Sequence, residues 1–217
     1  MPRAPAGPLY PTRSGAGALL GQQLVARGHS GDLLLGITPE GVEIAANAAQ
    51  AMGAPFDVMV AAFIRLGSNL APVGAMAESA PAEMDPEFQP GMSLMDSLQA
   101  AIDESRARVR QDLVLYRTLR PLKDLRGRGV VIVDAAVLFP WRVLAAARAA
   151  ETMGAARVAV AAAVASQAAV ERVRARQYDV VCPAVVAEAD PNMRWFGDAG
   201  GDAPERLRAI MIAHRAA

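Results

Sequence analysis

Residues 130–142 read VVIVDAAVLFPWR. Val130, Val131, Ile132 and Val133 form a continuous β-branched run, the pattern of a strand buried on both faces. The run meets an acid, Asp134, where a chain leaving such a strand would turn toward a helix. This predicts a central strand ending at Val133 with Asp134 at its carboxyl end. In an open α/β sheet that end is where loops and helix N-termini converge and where ligands sit.

Outward from this stretch the chain alternates apolar runs with helical periods. Upstream, residues 14–27 (SGAGALLGQQLVAR) place Leu19, Leu20 and Leu24 at helical spacing and stop near Gly28. A short strand is expected at 32–37 (DLLLGI), a helix at 42–52 ended by Gly53, and a second strand at 56–62. Downstream, a helical period from Ser93 to Leu119 is followed by strand 129–133, helix 143–153, strand 157–162, helix 167–176, strand 178–182 and a last helix at 204–214. Repeated β-α-β units favour a mainly parallel sheet with right-handed crossovers, flanked by helices. Residues 66–92 carry Glu78, Glu83, Asp85 and Glu87 but no lysine or arginine, among several prolines and glycines. They are expected to form an exposed excursion with a short hairpin near 73–77.

At 217 residues and 53% hydrophobic content, the chain suits one well-buried α/β domain spanning 1–217. Twenty-two basic residues balance twenty-two acidic ones, so no global field draws it to nucleic acid or an anionic membrane. The scattered aromatics form no stacking platform for bases. The longest apolar run, VAVAAAVA at 158–165, is too short to span a bilayer, and the opening MPRAPAGPLYPTR has no apolar signal core. With Cys182 the sole cysteine and His29 and His214 isolated, there is no disulfide framework and no zinc-type spacing. These features point to a soluble protein of the reducing cytoplasm. There is no G-x-S-x-G elbow, and Cys182, followed by Pro183, reads as inert core. Between 103 and 128, eight basic residues face four acidic ones, next to the acidic excursion. Such segregation either steers an anionic ligand, joins subunits or, most simply, marks a solvated helix face.

The strand-to-loop stretch resembles the V-D-D-G-x-A-T-G-x-T signature of the type I phosphoribosyltransferase family, of the bacterial ComF-like or uncharacterised kind. Further likeness comes from YPTRSGAG at 10–17, similar to the family's F-x-D-R-x-x-A-G, and from GITPEG at 36–41, similar to its G-x-P-R-G-G pyrophosphate loop. Arg194-Trp195-Phe196 with Asp198 is similar to its W-Y-x-D-F region, and Arg65-Leu66 stands near its dibasic R-K-L. The resemblance implies a phosphoribosyltransferase-type open sheet with a small hood, built from the excursion and both termini, the latter part at 183–217. It also implies transfer of ribose 5-phosphate from phosphoribosyl diphosphate to a nitrogenous acceptor, with Mg²⁺.

The loops, however, have lost most of that chemistry. Only Asp134 keeps its acid; Ala135 stands for the second one, and Ala136, Val137, Leu138, Phe139, Pro140, Trp141 and Arg142 replace the glycine- and threonine-rich cradle. Pro140 removes an amide donor, and Phe139 and Trp141 bring bulk to the place of the phosphate. Losing two or three charge-assisted hydrogen bonds costs roughly 3–9 kcal/mol. In the other loop, Thr38, Pro39, Glu40 and Gly41, the basic position is Glu40, which would repel pyrophosphate. Plainer roles exist for each: Glu40 as a first-turn acid, Asp134 as a cap, Arg142 as a partly solvated structural arginine. The expected protein is thus phosphoribosyltransferase-like but catalytically impaired, retained for binding, with a small phosphorylated ligand, or for assembly, as a homodimer. The alternatives are an active transferase and a regulatory or structural oligomer subunit.

Overall fold

The computed structural model describes residues 8–67, 70–119, 121–187, 193–198 and 204–214. The first helix, α1 (Arg13–Ala26), starts where the Thr12 side chain accepts the Gly15 N–H at 3.0 Å. That capping satisfies one of the orphan donors of a helix start. It buries Ala16, Leu20 and Leu24 against α2 (Glu40–Met52). The two helices approach closely because Gly21 offers no side chain: a Cβ there would lie 2.6 Å from the Ala48 carbonyl oxygen.

Between them runs β1 (Leu33–Ile37), and α2 ends at Gly53 in the left-handed region (φ 63°) before β2 (Phe56–Met59). A second sheet is antiparallel, ordered β3 (Ala61–Ile64), β4 (Gly74–Ala77) and β5 (Glu83–Met84). The long helix α3 (Met95–Arg117) leads to β6 (Gly129–Val137) and α4 (Trp141–Thr152). Then come β7 (Arg157–Ser166), α5 (Gln167–Ala175), β8 (Asp179–Val181), β9 (Ala184–Val186) and α6 (Pro204–Ala213).

The main sheet is parallel throughout, in the order β2-β1-β6-β7-β8, with β9 also on β7. The strand predicted at the centre is there. Along it Val131, Val133 and Ala135 face a core shared with α1, α2 and α6, while Val130 and Ile132 face one shared with α4 and α5. Burial on both faces is why the segment reads as an unbroken apolar run. From β1 the chain winds outward to β2, and from β6 it winds the other way through β7 to β8. The reversal lies between β1 and β6, which opens a crevice at their carboxyl ends.

Three expectations need correction. The strand predicted at 56–62 is two strands in different sheets. At the break, the Val60 N–H donates to the Glu78 carboxylate at 3.0 Å instead of continuing the ladder, and Arg117 binds both Glu78 and the Val58 carbonyl. Next, β6 runs on to Val137, so Asp134 lies inside the strand, paired in register with Ala162, and is neither its end nor a helix cap. Finally, residues 66–92 are exposed only in part: β4 is buried along its length, and three acids of the segment are paired with arginines of α3 and of α5 and its C-cap. Glu78 meets Arg117, Glu83 meets Arg176 at 2.5 Å, and Glu87 meets Arg172 at 2.5 Å. The segregation of charge along the chain is therefore largely answered within it.

The carboxyl-terminal part closes over α2 through Leu207 and Met211 of α6, with His214 edge-on to Phe56. His29 sits at the far end of the sheet from the crevice, its ring nitrogens 2.7 Å from Asp32 and 3.2 Å from Asp179. No helix among the described residues is long and apolar enough to cross a membrane.

Candidate functional site

Two chain reversals build the crevice. At the end of β1, Thr38-Pro39 leads directly into α2, with Glu40 as its first residue. Gly41 lets that helix start press on β6, since a Cβ there would lie 2.4 Å from the Val133 carbonyl oxygen and 3.0 Å from Asp134 Cα. Leaving β6, Leu138, Phe139 and Pro140 turn the chain into α4, whose first turn carries Arg142 back over the strand.

Arg142 closes on Asp134. Its Nε lies 3.1 Å from Asp134 Oδ2, and its Nη2 lies 3.0 Å from Oδ1 and 2.9 Å from Oδ2. The Nη1 donates to Glu40 Oε2 at 3.1 Å and, at 3.4 Å, to the Thr38 carbonyl. Asp134 Oδ1 also accepts the Ala135 N–H at 2.8 Å. Asp134 is 2% exposed and Arg142 9%. Burial pushes the Asp134 carboxyl above the ordinary carboxylate range, Glu40 adds to that, and Arg142 works against it. For Arg142 burial acts against the charge, but Asp134 and Glu40 outweigh it and raise the guanidinium above its ordinary value. The arginine expected to be partly solvated is thus a buried counter-ion, and Glu40 is at once a first-turn acid and its second partner.

One wall of the crevice is Phe63 of β3, with the guanidinium carbons of Arg65 and Arg142 4.8 and 4.9 Å from its ring centre. The opposite wall joins the start of the chain to residues 193–198. Tyr10 N–H donates to the Trp195 carbonyl at 3.0 Å and Gly197 N–H to the Tyr10 carbonyl at 2.8 Å. Arg13 pairs with Asp198 at 2.9 Å and lies 4.8 Å over Phe196. YPTR and RWF-D, far apart in sequence, so form one surface. The walls enclose a cavity of about 580 Å³, lined among others by Arg13, Arg65, Arg194, Phe139, Met193 and Trp195. Arg65 donates to the Leu70 carbonyl at 2.8 Å, and Arg194 to the Phe196 and Gly197 carbonyls at 3.3 and 3.2 Å. Among the described residues neither has a carboxylate partner. Burial, and secondarily the charge of Arg142, holds the Arg65 guanidinium below its ordinary value, as expected of a cation without a counter-ion.

Of the predicted loop residues, Asp134, Ala135, Ala136, Leu138, Phe139 and Arg142 line this cavity, as does Glu40. Trp141 does not. It is 4% exposed, packed in the core under Arg172, and borders a different cavity with Leu144 and Pro86. The expectation that Trp141 obstructs the phosphate place is therefore corrected: as the first residue of α4 it turns away from the crevice, leaving the bulk to Phe139. Val137 and Pro140 are buried and also outside the lining. The Thr38 hydroxyl is buried without a hydrogen-bond partner among the described residues. What sequence reasoning missed is the pairing of Arg142 with Asp134. The available signal was an acid in a doubly buried strand, which demands a counter-charge, and an arginine eight residues on at the next helix start.

No family model matches this chain, and no curated protein matches it. Among solved structures it is similar to a purine phosphoribosyltransferase from Pyrococcus horikoshii Ot3 (15% identity, 85% of each chain covered, TM-score 0.46). It is similar to a hypothetical protein from Neisseria gonorrhoeae with bound ppGpp (10% identity, 98% of this chain and 100% of that one, TM-score 0.50). TT1426 from Thermus thermophilus is 29% identical over 94% of this chain and 98% of its own, with a TM-score of 0.76. Over nearly the whole of both chains, this protein shares the α/β fold of TT1426, a mainly parallel sheet flanked by helices.

Proposed function

We propose that this chain is a phosphoribosyltransferase-like protein that holds a small phosphorylated ligand without transferring a ribose phosphate. One observation carries the reading: Arg142 occupies both oxygens of Asp134, the acid that the family resemblance assigns to the ribose hydroxyls. A carboxylate accepting the three donor contacts from Arg142 plus a backbone N–H has no free acceptor to direct at a sugar. Binding is supported separately by the open cavity and by Arg65 and Arg194, two guanidiniums facing it with no carboxylate of their own among the described residues. Guanidinium forks are the usual partners of phosphate oxygens.

The test is calorimetric titration with phosphoribosyl diphosphate and Mg²⁺, alongside pyrophosphate release in the presence of nitrogenous bases. No turnover is expected, and turnover would return the chain to the working enzymes. Phosphorylated sugars and nucleotides form the binding panel. It includes ppGpp, a nucleotide with more than one phosphate group to offer the two arginines. Arg65→Ala and Arg194→Ala should each weaken a bound phosphate compound roughly tenfold, the worth of one charge-assisted hydrogen bond. Assembly is a second reading, favoured by Met92 and Leu94 in the turn before α3 and Met95 at its start, exposed to 95%, 42% and 51%. Such a patch suits a homodimer; sedimentation at micromolar concentration decides it.

A further inference from the structure

The Mg²⁺ that the family resemblance implies does not fit the residues present. Two carboxylates and a carbonyl do converge, from Asp134, Glu40 and Thr38, but the cation between them is the Arg142 guanidinium. The Arg142 contacts run to the protein's own oxygens: Nε and Nη2 to Asp134, and Nη1 to Glu40 and the Thr38 carbonyl. A divalent ion needs the same oxygens at about 2.0–2.1 Å. It cannot share them with a positive group already there. It would have to displace a covalently attached competitor, one held by stacking on Phe63 as well.

We infer that the pocket takes its phosphorylated ligand as the free, metal-free anion, with the Arg142 guanidinium standing where a cation would otherwise be required. This rests on the binding reading above for its ligand, though not for its statement about Arg142. The division of labour follows from these contacts. Arg142 neutralises the protein's own acids, whereas Arg65 and Arg194 retain donors without a carboxylate partner among the described residues. Two such cations match a phosphate monoester, which carries about −1.5 to −2 at neutral pH. A magnesium chelate of the same compound has lost the charge they would recognise.

Two measurements test this, and they fail separately. In the first, inorganic phosphate is titrated calorimetrically into the protein in EDTA and again in excess Mg²⁺. Binding is expected in EDTA and should weaken as Mg²⁺ withdraws the free anion; binding that requires Mg²⁺ overturns the inference. Absence of binding under both conditions counts against the ligand-binding reading itself.

In the second, Mn²⁺ alone is the probe, followed by its free-ion electron spin resonance and by thermal melting. The wild type should show no site at millimolar Mn²⁺. Arg142→Ala frees the carboxylates and should bind Mn²⁺ at least roughly tenfold more tightly than the wild type, with a melting temperature that rises with Mn²⁺. Adding Asp134→Asn should abolish the gain. The melting readout applies even if Arg142→Ala is only marginally folded. Wild-type Mn²⁺ binding that Asp134→Asn removes, or no gain in Arg142→Ala, overturns the stand-in role.

Discussion

Replacing Arg142 by methionine keeps much of its volume and removes its charge, leaving Asp134, 2% exposed, with only the Ala135 N–H as a partner. Stripping one member from a buried pair costs about 3–5 kcal/mol, because the remaining charge keeps its desolvation penalty and loses its compensation. Glu40 adds little to that figure, since at 39% side-chain exposure it can hydrate. For a chain of this length each kcal/mol lowers the melting temperature by about 2–4 °C, so the expected fall is roughly 6–20 °C. Urea unfolding of Arg142→Met against wild type reads the cost directly. The double variant Arg142→Met with Asp134→Val should recover most of it, because exchanging a buried pair for apolar residues is often neutral.

The same variant has a pH signature. Burial and Glu40 already push Asp134 upward, and Arg142 is the main influence opposing them. Without it the folded-state pKa rises further above the unfolded one. A carboxyl raised in this way contributes stability fully present below the unfolded pKa and lost as pH rises through the folded value. The penalty of Arg142→Met should therefore be smaller near about pH 5 than near about pH 8. A cost under about 1 kcal/mol at neutral pH, or one that grows on acidification, would refute the account of Arg142 as the counter-ion that Asp134 requires.

Other outcomes follow from single contacts. Gly41→Ala places a Cβ 2.4 Å from the Val133 carbonyl oxygen, so α2 must shift off β6. The expected cost is about 1–3 kcal/mol in thermal or urea unfolding despite alanine's better helix propensity, and stabilisation would contradict the packing described. Arg117→Met leaves the Glu78 carboxylate, 6% exposed, with the Val60 N–H as its remaining donor among the described residues, where β2 passes into β3. About 3 kcal/mol should be lost, measured in urea. Burial pushes the Cys182 thiol up to about 11. Its reaction with a disulfide reagent should stay slow through neutral pH and accelerate only above roughly pH 10, whereas rapid labelling near neutrality would show an exposed thiolate.

The legible parts of this fold are those whose signal is local. The run from Val130 to Val133, the glycine ending α2 and the helical spacing of Leu20 and Leu24 each report one element's own burial or geometry. The convergence of Arg13 with Asp198 was reachable only by resemblance, because the two lie 185 residues apart. The break at Val60 left no trace in hydropathy, since Val58 to Ile64 stays apolar across it. What splits the strand is the carboxylate of Glu78, delivered from the turn that follows β4. Residues 66–92 misled for the converse reason: their acids look solvated in sequence, yet the arginines that answer Glu78, Glu83 and Glu87 come from α3 and from α5 and its end.

Arg142 itself cannot be understood from its own helix. It occupies the first turn of α4, where the positive end of the helix dipole disfavours a cation by about 0.3–1 kcal/mol. An arginine kept there needs a stronger reason, and the buried Asp134 supplies one several times larger. Asp134 in turn is tolerable inside a doubly packed strand only because a charge-assisted fork meets it from α4. Glu40, favoured by the dipole of α2, takes the donor of Arg142 that Asp134 leaves over. Each of the three groups is unfavourable or idle alone and accounted for by the other two. An acid so engaged neutralises an arginine, and this is why Asp134, although it borders an open crevice, has its acceptors turned to the protein and not to the cavity.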